Sequence, residues 1–96
     1  MIVSMLQVIV EMPETTSIKD KRRLVSSIKD RLRMKFRVSA AEVDLNDSLR
    51  FAQIGCALVS NSREYGEAVM RKALALVENE LSMRIHDSQI ASEAFD

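Results

Sequence analysis

Ile2 to Val10 is apolar at nearly every position, with Ile2, Leu6, Val8 and Val10 on one alternating face and Val3, Met5 and Ile9 on the other. Apolar side chains on both faces predict a central strand covered on both sides. Pro13 ends it, since proline offers no N–H to a ladder. Thr15, Thr16 and Ser17 then lead into a helix, and Ser17 followed three residues later by Asp20 resembles a capping box. From Ile18 to about Phe36 the period becomes helical: Ile18, Leu24, Val25, Ile28, Leu32 and Phe36 share one stripe at about 100° per residue.

Arg37 to Leu45 alternates loosely through Val38, Ala40 and Val43, a strand with an expected bulge at Ala40-Ala41. Asn46-Asp47-Ser48 is turn chemistry. Leu49 to Ser60 is a longer strand, with Ala52, Ile54, Cys56 and Leu58 on one face and Phe51, Gln53, Gly55, Ala57 and Val59 on the other. Asn61 or Ser62 caps a second helix, with Glu64 in its first turn. It is expected to run to about Leu81 with Tyr65, Val69, Ala73, Leu76 and Val77 inward. A last strand spans Met83 to about Ile90, and Ala91 to Asp96 are expected to fray, so the ordered part ends near residue 90.

The order is βαββαβ. Right-handed crossovers turn its two βαβ units into an α+β, ferredoxin-like fold: a four-stranded antiparallel sheet with two helices on one face. The other face, carrying Val3, Met5, Ile9, Phe51, Ala57 and Val59 or the alternate set, is apolar for open solvent. It is expected to be covered by a second subunit, making a homo-oligomer through the sheet.

Ninety-six residues, 47% hydrophobic and 29% charged, make one globular domain over 1–96. With no Trp and 4% aromatic residues, the core must be aliphatic. The run MIVSMLQVIV has no basic start and is too short to cross a bilayer, so neither a targeting segment nor a membrane is expected. Cys56 is the single cysteine, which excludes an internal disulfide and suits a reducing cytoplasm.

Most catalytic chemistries lack their residues. His86 is the one histidine, so no histidine-pair metal site can form. Cys56 sits alone in an apolar strand and reads as a small hydrophobe. Gly55 and Gly66 are too few and too far apart for a phosphate loop or dinucleotide fingerprint. Ser60, Ser88 and His86 lie in nothing like a nucleophile elbow. The expectation is a protein that is not an enzyme, with no cofactor and no metal.

Charge changes the picture. The chain has a formal net charge of zero, yet nine of its fourteen lysines and arginines lie between Lys19 and Arg37, against Asp20 and Asp30, a local net charge of +7. On the helical wheel Arg22, Lys29 and Arg33 fall together, beside Lys19 and Arg23 and opposite the apolar stripe. The result is a cationic ridge roughly 16 Å long, suited to several phosphates of a nucleic-acid backbone. A solvated basic surface and a dock for an acidic protein partner fit the same residues. Lys21 stands apart on the apolar arc, where its amine could pair with Glu42 or Asp44. The first strand has no aromatic residue and the third only Phe51, so base reading by sheet stacking is not expected. If RNA binds, it does so through the helix and phosphates.

MPETTSIKDKRRLVSSIKDRLRMKF, then VSAAEVD and IGCALVSN, resembles the YlxP-like family of small bacterial proteins of unknown function. The most specific piece, Ser17 to Arg23, is similar to that family's SLKDKR signature. The resemblance implies a ferredoxin-like fold. It also implies gene neighbours concerned with translation and ribosome maturation, which favours RNA or a ribosomal particle as partner; it brings no catalytic residues. Leu49 and Phe51 depart from the pattern, where relatives often have a tryptophan and a basic residue. The leading expectation is a cytoplasmic RNA- or ribosome-associated accessory factor. An oligomeric regulatory module that binds a small ligand, and a protein–protein adaptor, are its rivals.

Overall fold

The computed structural model of the chain describes residues 1–13 and 17–96; Thr15 and Thr16, placed at the approach to the first helix, lie outside the described residues. The elements run β1 (Ile2–Glu11), α1 (Ile18–Phe36), β2 (Ser39–Asp44), β3 (Phe51–Ser60), α2 (Arg63–Ala75) and β4 (Arg84–Ala94). The strands form one antiparallel sheet in the order β2-β3-β1-β4. This is the α+β, ferredoxin-like βαββαβ architecture expected from the pattern, with β1 central and β2 and β4 at the edges.

Burial follows the alternation. Leu6, Val8 and Val10 of β1 and Ala52, Ile54 and Cys56 of β3 are buried under the helices, against Val25, Ile28 and Leu32 of α1 and Met70, Ala73, Leu76 and Val77. The amide of Asp20 donates to Ser17 Oγ at 3.1 Å, so Ser17 caps α1 as expected. At the other end Arg37 takes a left-handed φ of 55° and its N–H returns to Arg33 O, closing the last turn.

Five expectations are corrected. Ile18 is 40% exposed, and the buried position at that end of the helix belongs to Lys21. The β2 bulge falls between Glu42 and Asp44 rather than at Ala40-Ala41, so that Val43 turns onto the open face beside Gly55. Tyr65 is exposed, because α2 turns Gly66, Met70 and Ala73 inward instead. Finally β4 does not fray after Ile90: it pairs along the whole of β1, to Ala94, and Phe95 N–H then donates to Met1 O at 2.8 Å. β3 also begins at Phe51, two residues later than expected.

Gly66 explains the rotation of α2. Its position lies so close to β1 that a Cβ there would stand 2.0 Å from Ser4 Oγ and 2.7 Å from Ser4 Cβ. Ser4 is fully buried, and its hydroxyl is satisfied by Ser92 Oγ of β4 at 2.9 Å. A glycine therefore faces the sheet where pattern reading looked for a side chain. Beyond Ala75 the helix widens into a π turn, Leu76–Glu80, closed by Leu81 N–H to Leu76 O at 2.9 Å.

Gly66→Ala is expected to destabilise the protein by about 1–3 kcal/mol in urea unfolding, although alanine is the better helix former. Adding Ser4→Gly should recover part of the loss. An alanine variant as stable as the parent would refute this close approach.

Candidate nucleic-acid interface

The nine cations of α1 and its C-cap do not share one environment. Lys21 is 2% exposed. Its ammonium donates to Leu45 O at 2.6 Å and to Ser48 O, both in the β2–β3 connection. Glu42 Oε2 lies 3.0 Å away as an ion pair, without the alignment of a hydrogen bond. Of the two acidic partners expected for Lys21, the structure brings Glu42. The same ammonium secures Leu45, whose φ of 62° is uncommon for a side chain that bulky.

On one flank of the helix, Arg31 and Lys35 both reach Glu80 of the π turn, at 3.1 and 3.3 Å. These two cations tie α1 to the end of α2. Lys35 and Glu80 also wall a shallow cleft lined by Phe36, Lys72, Leu76 and Asn79.

The five ridge residues lie away from that flank. Arg22 and Arg33 are exposed and Lys29 is half-buried, all above the side of the sheet that ends in β2, with Lys19 and Arg23 turned further outward. Lys19, Arg22, Arg23 and Lys29 have no hydrogen-bond or ion-pair partner among the described residues. Arg33 differs. One Nη donates to Ala40 O of β2 at 2.5 Å and the other lies 3.6 Å from Asp30. That leaves its remaining N–H groups for a further acceptor.

Position along the helix sharpens the contrast. A helix N-terminus carries partial positive charge, so acidic residues stabilise it and cations do not. Here Lys19, Arg22 and Arg23 crowd the first two turns against Asp20 alone, whereas Arg33 and Lys35 suit the C-terminal end. Lys19 thus stands in the turn where helix energetics disfavour a cation, with Arg22 and Arg23 exposed in the turn that follows. An anionic partner would reverse the sign of that contribution.

Nucleophile chemistry is poorly served. Cys56 is buried, and burial pushes its thiol from 9.0 up to about 11, with Arg33 pulling weakly the other way. Among the described residues no three His, Cys, Asp or Glu side chains gather as a metal site. His86 sits at a bulge in β4 with its ring 4.9 Å from that of Phe51. No helix is long and apolar enough to cross a membrane among the described residues.

A family model described as "Protein of unknown function (DUF503)" matches residues 3–90. The uncharacterized protein YlxP of Bacillus subtilis (strain 168) is 33% identical over 63 residues, which cover 66% of this chain and 68% of YlxP.

Two outcomes follow from this geometry. Lys21→Met leaves Glu42 and two carbonyls without their cation, and is expected to cost ~3 kcal/mol in chemical unfolding, while Lys19→Met stays within about 0.5 kcal/mol. Equal stability of the two variants would show that Lys21 is not a structural cation. The Cys56 thiol has a folded pKa above its unfolded one. Its contribution to stability is therefore complete below about pH 9 and is lost as the pH rises toward 11, with a slope up to ~1.4 kcal/mol per pH unit. Unfolding of a Cys56→Ala variant, compared with the parent across that window, should lack this part of the slope.

Proposed function

The chain belongs to the DUF503 family of proteins of unknown function, and from that premise we propose that it is a cytoplasmic accessory protein that binds RNA or an RNA-containing particle such as the ribosome through α1. Lys19, Arg22 and Arg23 contact phosphates at the N-terminal end of the helix. Lys29 and the free donors of Arg33 extend the track toward β2.

The observation that carries the reading is the set of exposed cations in the first two turns, Lys19, Arg22 and Arg23, which have no partner among the described residues, at the end of the helix whose dipole favours an anion. Cations placed merely to solubilise a helix have no reason to gather at that end. A polyanion is the natural complement, and phosphate contacts supply affinity without sequence reading. The ridge presents no aromatic side chain for stacking, so recognition rests on backbone and shape. An acidic protein partner would meet the same cations, and the test below separates the two.

Fluorescence anisotropy with short single-stranded and hairpin RNAs, at about 50 and 150 mM salt, is expected to show binding that weakens as salt rises. A folded Lys19→Glu, Arg22→Glu, Arg23→Glu variant should bind more weakly. Its salt slope on single strands should be shallower by about 0.7 per lost phosphate contact. Arg31→Gln, which removes a cation held by Glu80, should change little. Absence of binding at the lower salt, or equal binding by parent and triple variant, would refute the reading.

A further inference from the structure

The open face of the sheet has an internal symmetry that the helical face lacks. Its rows follow from the strand registers. Val3 pairs with Val59, Met5 with Ala57, Gln7 with Gly55, Ile9 with Gln53 and Glu11 with Phe51. On the other side of β1, Gln7 pairs with Gln89, Val3 with Glu93 and Glu11 with Arg84. The middle row is uncharged: Gln89, Gln7, then Gly55, with Gln53 Nε2 donating diagonally to Gln7 Oε1 at 3.3 Å. At Gly55 the surface sinks into a shallow groove bounded by Met5, Ala41, Val43 and Ala57. A Cβ there would lie 2.9 Å from Val43 Cγ1.

We propose that this face is the interface of a homodimer, with the two-fold axis running across the strands at the Gln7–Gly55 row. The occupant is a second copy because the face complements itself about that row. Rotation about the axis sets Met5 over the partner copy's Ile9 position and Val59, 62% exposed, over its Phe51 position, bulky apolar side chains on both sides. The Gln7 amides, each both donor and acceptor, meet across the axis. Glu93 falls opposite Arg84, exposed at the other end of β4. Two further carboxylates lie on the face: Glu11, already neutralised by Arg50 and Arg84 at 3.4 and 3.8 Å, and the exposed Asp87 of the edge strand, which pairs with Ile9 and falls opposite the partner copy's Ala91 position. Gly55 keeps the centre low, so the two faces can close.

The area is sufficient. Four strands about 4.8 Å apart, of six to eleven residues at about 3.3 Å each, present roughly 600 Å² per copy as a flat surface. Twice that lies at the lower end of specific interfaces, as expected for a dimer in exchange with monomer. An uncharged middle with charges toward the ends is also the ordinary distribution at such contacts. A nucleic acid or an acidic partner finds no cationic field here. The proposal is independent of the RNA reading: it leaves α1 of both copies facing outward, and its test contains no RNA.

Sedimentation equilibrium from about 1 to 200 μM reads it directly. The parent chain is expected to dimerise within that range. Val59→Lys and Phe51→Glu, each checked for folding by circular dichroism, should each weaken association by about tenfold or more, since a charge then faces an apolar side chain. The double variant places each new lysine over a new glutamate of the other copy and should recover much of the lost affinity. A parent that is monomeric at 200 μM overturns the proposal, as does association untouched by either single variant. A double variant no tighter than the singles overturns the placement of the axis.

Discussion

The buried ammonium of Lys21 is the constraint around which the helical face is organised. A lysine ammonium taken out of water must have its charge compensated, and here two carbonyls accept hydrogen bonds from it and a carboxylate pairs with it. All three come from the β2–β3 hairpin, so the contact is at once a helix anchor and a loop clamp. It holds Leu45 in the left-handed region, and that turn is what returns the chain from β2 into β3. It also fixes the rotation of α1 about its own axis. With Lys21 inward beside Val25, Ile28 and Leu32, Arg22 and Lys29 must emerge on the flank above β2, and Lys19 and Arg23 toward solvent.

Seen from that anchor, the cation-rich segment is several devices sharing one stretch of chain. Lys21 belongs to the interior. Arg31 and Lys35 fasten the far flank to Glu80, and Arg33 braces the edge strand through Ala40 O. Exposed ion pairs of this kind contribute only about 0–1 kcal/mol each, so they position the helix more than they stabilise it. What remains, at the N-terminal end, has no such structural duty. The local charge of +7 overstates the binding surface, and the partners of each side chain define it better.

The extent of α1 was legible because a long, strongly periodic segment with a serine cap leaves few alternatives; its bounds agree with the expectation. Lys21 was legible too, as the one charge on the apolar arc. The misreadings share a cause: a residue whose role is set by a neighbour distant in sequence. Gly66 offers no side chain to a hydrophobic pattern, so Tyr65 took its place, and the need for glycine appears only once Ser4 is seen against it. The length of β4 was hidden because its core-facing positions include Ser88 and Ser92, partners of Val8 and Ser4, and because the bulge at His86 breaks the alternation. The β2 bulge depends in the same way on the space above Gly55. The candidate interface was legible as a cluster, but which cations were free was not, since Glu80 and Ala40 reach α1 only through the fold.

The segment Ser17 to Arg23, the most specific part of the family resemblance, therefore mixes two kinds of residue. Ser17 caps the helix and Lys21 anchors it, and either role would preserve that residue whatever the protein binds. Lys19, Arg22 and Arg23 have no such structural reason to be basic. A chain with this fold could keep the serine and the anchoring lysine while losing the exposed three, and it would fold without presenting the cationic end. The pattern as a whole thus identifies the fold, and its exposed subset carries the functional claim. The open sheet face lies on the opposite side of the molecule and draws on none of these residues, so the proposed association and the proposed anion binding rest on separate side chains.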